Sequence, residues 1–200
     1  KNTAQFFLAG VSLQQMKATL DSGTKRFYNI FLHGEYRNRT RNKKWDVLLK
    51  GEFYANGLNA GDYSVYASLD RYFNKRWGNV SLFFTNVNRT PSFIFDNRSS
   101  FSLSNNAGFN KENITSFGAQ ANNPFITLGF RNHLITNYTY FKSYYESTQS
   151  SKITNVLQLF ASKKIKIAKK WFWYADGIIQ QTDGASPVKV PFLFTRNRLA

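Results

Sequence analysis

Cysteine is absent from the 200 residues, which removes disulfide frameworks and thiolate metal sites without fixing a compartment. Histidine occurs only as His33 and His133, and the chain contains no HExxH, no GxSxG and no phosphate-binding P-loop pattern. That leaves little for metal, nucleophilic or acid–base chemistry, so neither an enzyme, a bound metal nor a cofactor is expected. Long hydrophobic runs are missing too: Asn, Ser, Thr, Lys or Arg interrupts every apolar stretch well short of the roughly 20 residues a spanning helix needs. Backbone groups in lipid must be paired internally, so any membrane-spanning form of this chain has to be a closed barrel of strands. Acid is scarce as well, with 11 Asp+Glu against 27 Lys+Arg and a formal net charge of +16. Such an excess fits nucleic acid, an anionic surface or anionic solutes, and its placement decides among them.

What the chain does contain is aromatic: 20 Phe and 11 Tyr bring the aromatic share to 18%, although the hydrophobic share is 42%. Mean hydropathy is only −0.44. The length allows residues 1–200 to form one unit. The opening Lys1-Asn2-Thr3 carries no basic-then-apolar targeting segment, and the chain is expected to be a fragment of a longer one.

The organising signal is alternation with a period of two, which places successive side chains on opposite faces of a strand. Across residues 44–56 one parity reads Trp45, Val47, Leu49, Gly51, Phe53 and Ala55, and the other includes Lys44, Asp46, Lys50, Glu52 and Asn56. Residues 62–73 set Tyr63, Val65, Ala67 and Leu69 against Asp62, Ser64, Ser68 and Asp70. Residues 26–37 alternate similarly, except that Phe27 and Phe31 share the polar side. Residues 79–87 follow the pattern as far as Thr85. Further strands are expected over 115–121, 125–141, 152–161, 171–180 and 188–196, with 5–16 a poor first member. Residues 125–141 read as one long strand because parity persists through Tyr140.

Nine or ten such segments, most near the 9 to 11 residues a tilted spanning strand requires, make an all-β, antiparallel up-and-down meander. Connections at one end are short, at 38–43, 74–78, 122–124 and 163–169. Those at the other end are long, at 89–113 and 144–151. Outer-membrane barrels put short turns on the periplasmic side and long loops outside.

Three groups of residues are singled out. Lys44, Asp46, Lys50, Glu52, Asp62 and Asp70 would line a water-filled interior, where charge tunes ion preference; the alternative is the wet face of a soluble sandwich. Trp45, Trp171 and Trp173 would form an aromatic girdle at a lipid–water interface, or else fill a soluble core. Phe93, Phe95, Phe101 and Phe109 give the long connection too much apolar surface to stay in water, so it is expected to pack as a constriction or against a partner.

The basic stretches 37–44 and 163–170 resemble nucleic-acid patches, with aromatics from Trp171 to Tyr174 close by, but charged turn ends explain them without nucleic acid. A hydrolase built from a Ser and His33 on the barrel wall shows no partner by spacing. Asp96, Asn97, Asn105, Asn106 and Asn110 lack the spacing of a calcium loop.

Several stretches taken in order carry a family resemblance: Leu8-Ala9-Gly10-Val11-Ser12-Leu13-Gln14, Asn59-Ala60-Gly61-Asp62-Tyr63, Arg89-Thr90-Pro91-Ser92-Phe93, Phe109-Asn110-Lys111-Glu112-Asn113 and Asn137-Tyr138-Thr139-Tyr140. Together they resemble the putative porin family of the Bacteroidota. The resemblance covers nearly the whole chain, assigns no chemical role to any residue, and implies a transmembrane barrel longer than this chain.

The expectation is therefore part of an outer-membrane β-barrel that lets small hydrophilic solutes diffuse passively. Its partners would be membrane lipid, the solutes, and a second copy or another envelope protein, with no nucleic acid. A subunit of a larger envelope transport or secretion assembly is one alternative, and a soluble basic β-protein binding polyanions is another.

Overall fold

The computed structural model describes residues 4–20, 23–96, 98–99, 108–183 and 186–200. Ten strands form one antiparallel sheet: β1 (Gln5–Leu20), β2 (Gly23–Arg39), β3 (Trp45–Gly57), β4 (Tyr63–Asn74), β5 (Gly78–Arg89), β6 (Glu112–Asn122), β7 (Thr127–Thr136), β10 (Thr154–Lys166), β11 (Phe172–Thr182) and β12 (Leu193–Leu199). Every neighbour in the sheet is the next wall strand in sequence. A separate two-stranded hairpin, β8 (Thr139–Phe141) with β9 (Ser147–Gln149), interrupts the meander between β7 and β10. The edges β1 and β12 do not pair with one another, so the sheet of the described residues is open, consistent with part of a barrel wall.

The two faces have opposite fates. The apolar parity is the exposed one: Leu32, Leu49, Phe53, Leu82, Leu128, Leu159 and Ile179 all lie open. The polar parity is the covered one: among the described residues, Asn29, Ser68, Glu112 and Thr154 are buried, whereas Val156 is the one buried hydrophobic side chain. Among the described residues no second layer covers the apolar face. A soluble sandwich would show the reverse, with apolar inner faces packed against each other.

The exposed apolar residues form a belt that slips steadily along the strands. In β2 this apolar parity runs from Tyr28 to Tyr36, with Tyr28, Ile30 and Leu32 exposed, and Asn38 lies beyond its short-turn edge. Followed through seven pairings, the Asn38 row passes Val47, Leu69, Leu82, Ala119, Phe130 and Leu159 and reaches Ile179, at the long-loop edge of the belt in β11. The belt thus slips about ten residues, ~33 Å along the strands, over ~34 Å of sheet width, which is a tilt of about 45°. Spanning barrels tilt their strands by a similar amount.

Three expectations need correction. Residues 125–141 are not one strand. β7 ends at Thr136 because Asn137 adopts φ 56, a left-handed conformation that Asn tolerates and a strand cannot contain. Asn137 Nδ2 donates to Lys111 O at 3.0 Å and Asn137 O accepts from Gln149 Nε2 at 2.9 Å, so the break is fixed on both sides. Parity alone could not show it, since Tyr138 and Tyr140 continue the apolar rhythm. The basic stretch 163–169 is not all turn either, because β10 continues to Lys166. The last strand lies later than expected, at Leu193–Leu199.

Facing is testable on neighbouring residues. Leu49 points outward at mid-strand, and Leu49→Arg should destabilise the full-length barrel by about 2 to 4 kcal/mol. Lys50 is half-exposed in a 3.1 Å pair with Glu35, and Lys50→Leu should cost less than about 1 kcal/mol. A folding titration into lipid vesicles measures both, and equal costs would reject the assigned facing.

Candidate pore wall and mouth

The register carries polar residues of successive strands into contact. Arg37 on β2 grips Asp46 on β3 with both forks, Nε to Oδ1 at 3.0 Å and Nη2 to Oδ2 at 2.6 Å, and Arg39 approaches the same carboxylate at 3.8 Å. Lys50 pairs with Glu35, and Ser81 donates to Asp70. Arg196 on β12 donates to Asp176 on β11 at 2.8 Å. Each pair is partly exposed and contributes roughly 0 to 1 kcal/mol, so its larger effect is to neutralise charge on this face.

Of the six expected wall charges, Asp46, Lys50, Glu52 and Asp70 share the polar face of β3 and β4. Lys44 sits in the turn just before β3, and its carbonyl accepts a hydrogen bond from Tyr72 N at 2.8 Å. Together with Arg39, Asp46 and Asp70 it lines a cavity of about 410 Å³ at the short-turn end. Asp62 differs from the expectation. It precedes β4, is buried, and is ion-paired with Lys111 at the root of the long connection.

All four tryptophans of the chain lie at the short-turn end. Trp45 opens β3, Trp77 lies between β4 and β5, and Trp171 and Trp173 stand at the start of β11. Arg71 spreads over Trp45 and Phe73, 4.6 Å from each ring centroid. Trp173 Nε1 donates to Asn197 Oδ1 at 3.1 Å. Trp77 escaped the sequence reading because it falls in a predicted turn rather than on an alternating strand.

The other end is folded over. After β5 the chain makes a single 3-10 turn at Phe93–Phe95. Phe93 meets Phe27 edge-on at 5.6 Å, and Arg98 lies over both rings. Phe27, which broke the polar pattern of β2, is therefore the seat of the loop. Phe31, the other exception, stacks on Tyr54 of β3 at 4.9 Å. Phe95 contacts Phe109 at 6.3 Å and Phe141 of the β8–β9 hairpin at 4.8 Å, so loop and hairpin meet above the polar face. Phe101 lies outside the described residues. Between loop, hairpin and wall is a cavity of about 400 Å³ lined by Arg89, Glu112, Phe95, Tyr138 and Tyr140.

Two buried carboxylates hold this cover. Glu112 accepts from Arg89 Nε at 2.9 Å and from the Thr139 backbone N–H at 2.8 Å, joining wall to hairpin. Asp62 accepts from Lys111 Nζ, from Thr90 N and Oγ1 at 2.9 Å each, and from Asn59 Nδ2 at 3.0 Å. Burial pushes the Asp62 carboxyl up, but these donors outweigh it and hold it below the usual carboxylate range. Asp96, considered above for calcium, is instead held low by its hydrogen bonds from Arg98.

Both histidines have a serine neighbour across the wall: Ser12 Oγ lies 3.1 Å from His33 Nε2, and Ser116 Oγ lies 2.7 Å from His133 Nδ1. Spacing could not show this, because the partners sit on adjacent strands. Among the described residues no carboxylate is hydrogen-bonded to either imidazole, so neither pair has the orienting third group of a hydrolase.

The Asp62 anchor has a definite pH sign. Its carboxyl is depressed on folding, so its contribution is complete above the ordinary value near ~3.9 and is lost as pH falls through the lower folded value. Pepsin should therefore cut within 90–111 increasingly fast below about pH 4, while the wall strands stay protected. At neutral pH, Asp62→Asn should raise trypsin cleavage after Arg98 by about tenfold or more, the equivalent of one lost hydrogen bond to a charged group. Cleavage within twofold of the unmodified protein would exclude the anchor.

Comparison with curated proteins and with solved structures found no match. The model of a family described as putative porin matches residues 2–200, nearly the whole chain. A single-layer antiparallel sheet with an open apolar belt and an ion-paired polar face is what such a barrel wall requires, and this chain belongs to the putative porin family.

Proposed function

We propose that the polar face encloses a water-filled pore through which small hydrophilic solutes diffuse passively across an outer membrane. The family makes the chain part of a porin-like outer-membrane β-barrel and points to a channel rather than an enzyme. The observation that carries the finer reading is the inverted burial: apolar side chains lie open on one face while hydrogen-bonded polar ones are covered on the other. In this reading Asp46, Lys50, Glu52 and Asp70 line the lumen, and Lys44 borders its short-turn exit. Trp45, Trp77, Trp171 and Trp173 form the girdle on the periplasmic side, where rings with a polar edge favour the interface. The long loop and the β8–β9 hairpin narrow the outer mouth.

On the polar face Glu35 and Asp46 are ion-paired while Glu52 and Asp70 reach no cation among the described residues, and the basic excess in this reading lies farther round the wall, where Arg131 and Lys164 sit over aromatic rings and reach no carboxylate among the described residues. Full-length protein in planar bilayers should conduct, prefer anions at low salt, and lose the preference as the Debye length shrinks toward ~3 Å at 1 M. Replacing Phe93 and Phe95 with serine should unseat the loop and raise conductance while the barrel keeps its heat-modifiable gel mobility. A folded barrel without conductance would refute the pore, and cation selectivity would refute the basic lining.

A further inference from the structure

We propose that Arg131 and the two phenylalanines beside it form a binding site in the pore wall for small organic carboxylates with an apolar body. The site rests on the polar face being the lumen. One row of register-matched residues crosses five strands there: Phe83 on β5, Gly118 on β6, Arg131 on β7, Gln158 on β10 and Gln180 on β11. Phe160 faces Gly129 one position along the same face.

The glycines set the rings in place. A methyl group at Gly118 would come within 2.5 Å of the Phe83 ring, and one at Gly129 within 2.4 Å of the Phe160 ring. Each ring therefore lies in the space a neighbouring strand leaves by having no side chain. Between them stands the Arg131 guanidinium, 5.0 Å from the Phe160 centroid and 5.7 Å from that of Phe83. Ring faces hold a cation without cancelling its charge.

Charge cancellation is what Arg131 lacks. Arg37, Arg89 and Arg196 on the same face each reach a carboxylate. Arg131 reaches none among the described residues, because the polar faces of its neighbours present Gly118, Ser116, Gln158 and Phe160. The only carboxylates on this face of β5 to β11 are Glu112 and Asp176, and each is engaged by another arginine.

The surroundings define the ligand. A guanidinium offers parallel N–H donors that match the two oxygens of a carboxylate. Gln158 Nε2 donates to Gln180 Oε1 at 3.0 Å, which leaves the Gln180 amide nitrogen as a further donor in the same row. Phe83 and Phe160 then present apolar surface beside the charge, which an alkyl or aryl tail covers and an inorganic anion does not. An organic monocarboxylate satisfies both parts.

The test uses butyrate as the probe on full-length protein in planar bilayers, with phosphate at matched ionic strength as the comparison. Butyrate should reduce the chloride current saturably, and phosphate should not. Arg131→Gln should raise the half-blocking butyrate concentration about tenfold, the loss of a charge-assisted contact. Arg131→Lys keeps the charge and loses the fork, so it should preserve anion preference yet weaken the block; Phe160→Leu should weaken it too. Equal block by butyrate and phosphate, or an Arg131→Gln block within twofold of wild type, overturns the site. A folded wild type that conducts no chloride overturns the pore instead. In that event saturation-transfer NMR of butyrate on the folded protein decides the site: loss of transfer in Arg131→Gln supports it, and unchanged transfer overturns it.

Discussion

Inside hydrocarbon every backbone N–H and C=O has to find a partner within the protein, and most of this structure follows from that requirement. A continuous antiparallel ladder from β1 to β12 meets it for all but the two edge strands, which no other strand among the described residues pairs on their outer sides. Once the ladder supplies the hydrogen bonds, the outward side chains need only be compatible with lipid, and the belt of Leu32, Phe53, Leu82 and Ile179 has no inner layer to pack against. The hydrophobic core that orders a soluble domain is therefore absent among the described residues, and Val156 alone is a buried apolar side chain. The tilt of about 45° belongs to the same solution, since a closed wall needs its strands staggered.

The wall was legible in the sequence because alternation records which face meets lipid. β3 and β4 could be drawn residue by residue, and the short-link end was recognisable before any coordinate. What escaped depends on pairing across strands or on single dihedral angles. Asp62 reads as one more member of a polar parity, yet its partner Lys111 lies 49 positions away. Asn137 ends β7 through a left-handed φ that leaves hydrophobic rhythm unchanged. Phe27 looked like an error in the pattern of β2 until Phe93 was found upon it. This local violation of the alternation marks where a loop touches the wall.

The charge distribution carries the same lesson about counting versus pairing. A formal +16 describes the chain, but a solute in the proposed lumen would meet the charge left after Arg37 is set against Asp46, Lys50 against Glu35 and Arg196 against Asp176. Those pairs sit in partly wet surroundings and add little stability, so their consequence is to cancel charge locally, at Arg37–Asp46 and Lys50–Glu35 on β2 and β3 and at Arg196–Asp176 on β11 and β12. Lys164 rests over Phe172 at 4.1 Å and over Tyr174 at 5.2 Å, and like Arg131 it reaches no carboxylate among the described residues. On β7 and β10 aromatic seating thus accompanies a kept charge, whereas on β2 and β3 carboxylate pairing cancels it. The polar face of β2–β4 carries both signs of charge, whereas β7 and β10 present the ring-seated cations Arg131 and Lys164 at different heights. Because screening shortens the reach of each to about 8 Å at physiological salt, an anion moving along the wall of the proposed pore would meet them one at a time rather than as a single positive field.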